Sequence, residues 1–289
     1  MGESFILRKT PIDYNGEKIT VAVTGAAGRI GRSFIEFAGG GYHTVGVIHP
    51  DEPEDDLPRV GKVVKTDITD LKRLKEAFTG CDAVVHLAAD PSPRADWESV
   101  SHNNISGTYS VFVAAKSAGC RKVVFASSIH AVSGYPREHQ VHPDEPVNPG
   151  DLYGVSKCFG EAMARFMATQ HDLPSIAVRI GGFKAREKAR ETENIQTLRA
   201  FVSRRDLDQL LKLCVDDRHL QFAILHGLSD NVFNRMDTTS ARELLGYHPE
   251  DSFLKLNRYL ADLELDRKVS NESEKGKDNI SGIQKDLEK

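Results

Sequence analysis

Seven residues, Gly25-Ala26-Ala27-Gly28-Arg29-Ile30-Gly31, restrict what this chain can become more than any other stretch. They follow the β-branched run Ile19-Thr20-Val21-Ala22-Val23-Thr24, which predicts a parallel strand buried on both faces. A helix over about residues 32–37 is expected next. Glycines at 25, 28 and 31 meet three steric demands: a tight turn, close approach of backbone to a pyrophosphate, and packing of helix on strand. The helix N-terminus adds free N–H groups and the positive end of a dipole. Glycines at this spacing also make ordinary tight turns. A strand before and a helix after is the context that turns them into a dinucleotide cradle.

The pattern of short apolar runs and helical segments continues. His43-Thr44-Val45-Gly46-Val47-Ile48 predicts a second strand ending at His49. Dinucleotide folds place an acid there for the adenosine ribose; here the position falls on His49, with Asp51 two residues later. Asp51, Glu52, Glu54, Asp55 and Asp56 disfavour a 2′-phosphate and so favour NAD, although the same residues read equally as a solvated loop and NADP stays open. The third strand leads to Asp67, within reach of an adenine amino group, and to Asp70, the expected N-cap of a helix over 71–78. The fourth, 83–89, ends in small residues that let a flat cofactor lie on backbone, and its His86 reads as a core histidine rather than a ligand. A helix over about 97–118 carries Asn103. The fifth strand delivers Ser127 and Ser128 to the C-terminal sheet edge, where open α/β sheets bind ligands. A sixth, 175–180, precedes Gly181-Gly182.

Between the last two strands lies Tyr153-Gly154-Val155-Ser156-Lys157. Residues four apart share a helix face. A tyrosine titrates near pH ~10, so it needs a neighbouring cation to serve as a base at neutral pH. Lys157 is placed to lower its pKa, and Ser156 reads as a packing residue. Tyr/Lys pairs decorate many surface helices. The glycine cradle and Ser128 are what give this one a chemical reading.

Beyond the sixth strand the chain turns basic: Lys184, Arg186, Lys188, Arg190, Arg199, Arg204 and Arg205 fall within 183–205. They read as a solvated flap or as an anion-binding lid. A helix over 206–214, a strand over 221–225 and helices over 238–244 and 253–263 suggest a small substrate-side portion that completes the sheet. Residues 1–17 read as an irregular extension, 18–180 as the dinucleotide domain, 181–265 as the smaller portion and 266–289 as a disordered tail. A net charge of −4 gives no footprint for nucleic acid or anionic membrane. No apolar run approaches the ~18 residues of a membrane span, and no secretory signal is expected. Four scattered cysteines with no CxxC argue against a metal site or disulfide framework and fit a reducing cytoplasm.

TGAAGRIG, DITD, HLAAD and YGVSK occur in the order of, and resemble, the motifs of the extended short-chain dehydrogenase/reductases (the NAD-dependent epimerase/dehydratase family), over roughly residues 19–263. Ser128 lies 25 residues before Tyr153 and 25 after Asn103. The resemblance implies a Rossmann-like doubly wound parallel sheet, with Tyr153, Lys157, Ser128 and Asn103 as the catalytic set. It implies cofactor contacts at Gly25, Ala27, Gly28, Arg29, Ile30 and Gly31, then at His49, Asp67 and Ile68. Leu87, Ala88, Ala89, Asn103, Ser127, Tyr153, Lys157 and Ile180 complete that list. FASSIHAVSGYP and LYGVSKCFGEAMARF look most like uronate dehydrogenases and related sugar and sugar-phosphate dehydrogenases. That likeness implies substrate contacts from Ser92, Ser128, Ile129, His130, Tyr153, Gly182, Gln196 and Arg199. Ile129, Gly182 and Gln196 stand where uronate enzymes have Asn, Ser and a carboxylate-binding Arg, so uronic acids, aldoses and sugar phosphates all stay open.

The implied activity is NAD(P)-dependent oxidation of a sugar-like hydroxyl. Two alternatives stand beside it: an epimerase or dehydratase that retains its NAD, and a non-catalytic dinucleotide sensor. A dehydratase would want an Asp-Glu pair after Ser128, an epimerase usually a longer C-terminal substrate portion, and a sensor a lost Tyr or Lys; the sequence has none of these features. Family members often dimerise through the helix bearing Tyr and Lys, and Phe159, Met163, Phe166 and Met167 fit that role or an ordinary core.

Overall fold

The computed structural model describes residues 4–14, 18–54, 57–58, 60–191 and 195–261. The expected tail, 266–289, lies outside them. Chain order runs β1 (Phe5–Leu7), β2 (Thr20–Thr24), α1 (Arg29–Ala38), β3 (His43–Ile48), β4 (Lys62–Lys65), α2 (Leu71–Phe78) and β5 (Ala83–His86). A broken helix follows: α3 (Trp97–Ser99), a π-helical turn (Val100–Ser106) and α4 (Gly107–Ser117). Next come β6 (Lys122–Ser128), a 3₁₀ turn (Ile129–Val132), α5 (Leu152–Gln170) and β7 (Ser175–Ile180). The smaller portion holds β8 (Gly182–Lys184), α6 (Arg186–Glu191), a 3₁₀ turn (Ile195–Arg199), β9 (Phe201–Ser203) and α7 (Arg204–Asp216). It ends with β10 (Leu220–Gly227), α8 (Thr239–Leu245), α9 (Phe253–Leu256) and α10 (Arg258–Ala261).

Successive side chains of the buried strands go to opposite faces and build two cores. Val21, Val23 and Val85 join Phe34 of α1 and Leu207 and Leu211 of α7 on one face. Ala22, Val84, Val123 and Phe125 join Phe78, Phe112 and Met167 on the other. Helices on both faces explain why these strands read as continuous apolar runs rather than alternating ones. Strand order is β4-β3-β2-β5-β6-β7-β10-β1. Every pairing in it is parallel except that of β1 with β10. The order reverses between β2 and β5, so a crevice opens outside their carboxyl ends. The expected doubly wound sheet is present.

Several boundaries differ from expectation. β1 lies inside the supposed extension, pairing Phe5 with Ala223 across the whole chain, a long-range partnership that three residues cannot announce. α1 starts at Arg29, not near 32, because the Arg32 N–H already bonds the Gly28 carbonyl at 3.0 Å; Gly31, where any Cβ would overlap the Gly25 carbonyl oxygen, lies in its first turn. The expected helix over 253–263 breaks at Asn257, whose amide donates to the Ala189 carbonyl at 2.8 Å; residues 262 and 263 lie outside the described residues. β8 pairs with β9 rather than with the main sheet, and Ala189, Phe201, Phe253, Leu254 and Leu260 give this portion a core of its own.

Candidate active site

At the strand crossover the β2–α1 turn meets the end of β5. Gly25 has φ +66°, and a Cβ there would lie 2.8 Å from the Ala88 nitrogen, so the residue has to be glycine. Gly28 caps α1 without a side-chain hydrogen bond, leaving the first N–H groups of the helix available. The resulting cleft holds about 470 Å³. Gly25, Gly28, Arg29, Ile30, Gly31, His49, Ile68, Leu87, Ala88, Ala89 and Asn103 all line it, as expected.

Two expected contacts are turned elsewhere. The Ala27 carbonyl accepts from Arg32 Nε at 2.7 Å. Asp67 accepts from the Thr69 N–H (2.8 Å) and hydroxyl (2.6 Å) and bonds His102 Nε2 (3.1 Å). Partial burial opposes its ionisation, but these bonds win and bring the carboxyl to about 2. Asp67 therefore fixes a turn, and its neighbours Thr66 and Ile68 face the cleft. Sequence reasoning passed over Glu52 as one acid among several. Its N–H bonds the His49 carbonyl and its carboxylate accepts the His49 N–H at 2.8 Å, which folds it back into the cleft lining. An acid three residues past the strand end was the available signal.

His86 is a core residue. It bonds Thr24 at 2.8 Å and Thr108 at 3.1 Å, and burial pulls its pKa down to about 3, leaving it neutral.

A second cavity of about 600 Å³ adjoins the cleft through Arg29, Ile30, Leu87, Ala89 and Pro91. Ser127 and Ser128 end β6 in its wall, and Tyr153 and Lys157 enter from α5. α5 starts where it does because Asp151 accepts from the Gly154 N–H at 2.7 Å, an N-cap that sets Tyr153 in the first turn. Lys157 Nζ donates to the Ala126 carbonyl at 2.9 Å and lies 5.4 Å from the Tyr153 ring centre. Burial dominates both groups, which are 4% and 9% exposed. It pulls Lys157 down to about 8, against the nearby Glu161 carboxylate. It pushes Tyr153 above its ordinary value, opposed by a hydrogen bond with Ser128. The expected depressed tyrosine is thus reversed: desolvation of the phenolate outweighs the stabilisation expected from the ammonium.

Asn103 reaches the cofactor cleft, but its amide donates back to Ser99 (3.1 Å to the carbonyl). Asn104, not singled out in the sequence, links this segment to α5. It is buried, holds Asp90 through both its N–H and carbonyl, and donates to Ser156 Oγ at 3.0 Å. Ser156 in turn donates to the Tyr153 carbonyl at 2.6 Å, a positioning role in keeping with a packing residue. The π-helical turn at 100–106 settles which asparagine faces inward, and residue spacing cannot reveal it.

On the substrate side, Ile129, His130 and Gly182 line the second cavity as expected, and Ile180, expected as a cofactor contact, lines it too rather than the cleft. His130 Nδ1 meets Asp151 at 2.6 Å, and its ring stands edge-on to Tyr153 at 5.4 Å. Ser92 is spent in a turn, its hydroxyl accepting from the Arg94 N–H, and does not line the cavity. Arg199 points away and donates to the Arg137 carbonyl at 2.9 Å. The side chain of Gln196 lies outside the described residues. The basic stretch divides in two. Arg186, Arg204 and Arg205 pair with Asp251, Glu36 and Glu250, whereas Lys184 and Lys188 line the cavity.

Residues 21–211 match the NAD dependent epimerase/dehydratase family. The chain belongs to this family. A curated relative, the NAD-dependent glucose-6-phosphate dehydrogenase of Haloferax volcanii, is 35% identical over 80% of this chain and 93% of its own. The L-arabinose 1-dehydrogenase (NAD(P)(+)) of the same organism is 34% identical over 80% of this chain and 96% of its own. A crystal structure of a mutant uronate dehydrogenase from Agrobacterium tumefaciens complexed with NAD superposes with TM-score 0.75 at 29% identity. The match covers 84% of this chain and 89% of that one. As a member of the epimerase/dehydratase family, the chain keeps the glycine cradle and the Tyr153/Lys157 pair in adjoining cavities. Among the described residues no cluster of His, Cys, Asp or Glu could hold a metal ion, and no helix is long and apolar enough to cross a membrane.

Proposed function

We propose that the protein is an NAD-dependent oxidoreductase that oxidises a hydroxyl of a sugar-like substrate: a uronic acid, an aldose or a sugar phosphate. One observation carries this reading. Ser128, Tyr153 and Lys157 share a cavity that continues into the dinucleotide cleft, so a bound sugar and a bound nicotinamide would meet beside them. The dehydrogenase names of the relatives support it.

NAD in the cleft supplies the hydride acceptor. Gly25, Gly28 and the start of α1 would hold its pyrophosphate, and His49 with Glu52 would face its adenosine ribose. A negative Glu52 there favours NAD over NADP. Tyr153 would take the proton of the reacting hydroxyl once Lys157 and the positive charge of bound NAD offset the burial that raises its pKa. Ser128, hydrogen-bonded to Tyr153, steadies the oxygen as charge develops on it. Lys157, held on the Ala126 carbonyl, keeps a positive charge near the phenolate while it remains protonated. Asn104, through Ser156, holds the first turn of α5 in register with the loop after β5.

We further propose a cytoplasmic homodimer. Tyr109 of α4 and Val155 and Phe166 of α5 are exposed apolar residues that suit a helical interface. Met167, which fitted that role or an ordinary core, belongs to the core. The free, mostly buried cysteines suit a reducing compartment.

The test is the rate of NAD and NADP reduction across a panel of uronic acids, aldoses and sugar phosphates. Sustained NADH formation with at least one sugar is expected. Interconversion of epimers without net NADH would replace this reading with an epimerase.

A further inference from the structure

The cavity holding Tyr153 is electrically one-sided. Arg29, Lys157, Lys184 and Lys188 line it, and among the described residues no Asp or Glu does. Lys157 is tied to the Ala126 carbonyl beneath the tyrosine. Arg29 stands at the start of α1, where the two cavities join, and so would face the phosphates of a bound cofactor. The other two charges have no such employment. Lys184 ends β8 and Lys188 lies in α6; no ion pair joins either to the described residues, although Arg186, Arg204 and Arg205 around them are matched with carboxylates. Both also line a further cavity of about 650 Å³ that continues past Arg29 to Arg204. An anion in the tyrosine cavity meets concentrated positive charge and no carboxylate; the one acid lining the further cavity, Glu36, is paired with Arg204.

The form of the donors narrows the anion. A carboxylate is matched by the planar fork of an arginine, and Arg199 is turned away onto the Arg137 carbonyl. Two ammonium groups on flexible stems suit a compact dianion with three acceptor oxygens. We propose that Lys184 and Lys188 form an anion subsite that selects sugars carrying a phosphate monoester over neutral sugars and uronates. This rests on the dehydrogenase reading above, with the reacting hydroxyl at Tyr153 and the phosphate at the β8–α6 bend.

The experiment compares kcat/KM for glucose 6-phosphate, glucose and glucuronate in the wild type, in the double variant Lys184→Gln/Lys188→Gln, and in Lys184→Arg/Lys188→Arg. The wild type is expected to prefer the phosphate. The glutamine pair should erode that preference roughly 10- to 100-fold, and the arginine pair should retain most of it. A wild type that prefers glucuronate, or a preference untouched by the glutamine pair, overturns the subsite. Calorimetric titration of glucose 6-phosphate into the NAD-loaded proteins separates the two readings. If no sugar yields NADH, the dehydrogenase reading fails. The subsite then stands if binding is weakened in the glutamine pair, and falls if binding is absent or unchanged.

Discussion

Glu161 can carry its charge in the protein interior because Arg179 meets it with two parallel hydrogen bonds, 2.8 and 2.9 Å long, and Ser127 donates a third at 2.6 Å. The pair is almost wholly buried, at 3% and 1% exposure. Replacing Arg179 with Met would strand a carboxylate there, and the unfolding free energy should fall by about 3–5 kcal/mol, read from the denaturant midpoint. Asp208 shows the opposite solution. Burial, countered by its bond with Ser33 and by Arg204, pushes its carboxyl up to about 7. The folded state then binds this proton more tightly than the unfolded chain. Its contribution to stability is complete below about pH 4 and lost as pH rises through 7. Asp208→Asn should remove that dependence: thermal unfolding of variant and wild type should converge at low pH, with the variant gaining relative stability up to about pH 8. Parallel melting curves across that range would contradict the assignment. Neither behaviour could be read from the letters, because a Glu and an Asp acquire these properties only from partners 18 and 175 residues away.

The start of α5 joins three parts of the site. Asp151 caps the helix and bonds His130, Tyr153 follows, and Gly154 packs against the 3₁₀ turn at 129–132. A methyl group at Gly154 would overlap the His130 carbonyl oxygen and crowd Pro149, so the helix or the turn must move. Gly154→Ala should lower kcat tenfold or more while NAD affinity changes little, since the cradle is built by β2, α1 and β5. Equal losses in both would mean general unfolding. Elements with strong local signals were legible: the strand runs, the glycine cradle and the Tyr153/Lys157 helix all lie where spacing predicts. Features set by distant packing were not. The π-helical turn put Asn104 rather than Asn103 at the link to α5, and Asp67 was drawn into a turn by Thr69 and His102.

For the molecule as a whole, function follows from where the sheet reverses. β2 and β5 open the dinucleotide crevice, β6 ends in Ser128 beside it, and β8 with α6 close the far side with Lys184 and Lys188. The order of the central strands could be anticipated from the run of motifs. The edge strand β1 and the pairing of β8 with β9 could not, because three-residue strands owe their existence to partners elsewhere. The claim that binds the parts together is that Tyr153 is the base of a hydride transfer. The most direct measurement is sugar-dependent NADH formation by Tyr153→Phe beside the wild type, with NAD affinity measured on both by titration. Turnover should fall by about 10²- to 10⁴-fold, with NAD affinity nearly unchanged. Turnover at the wild-type level in Tyr153→Phe would contradict the account.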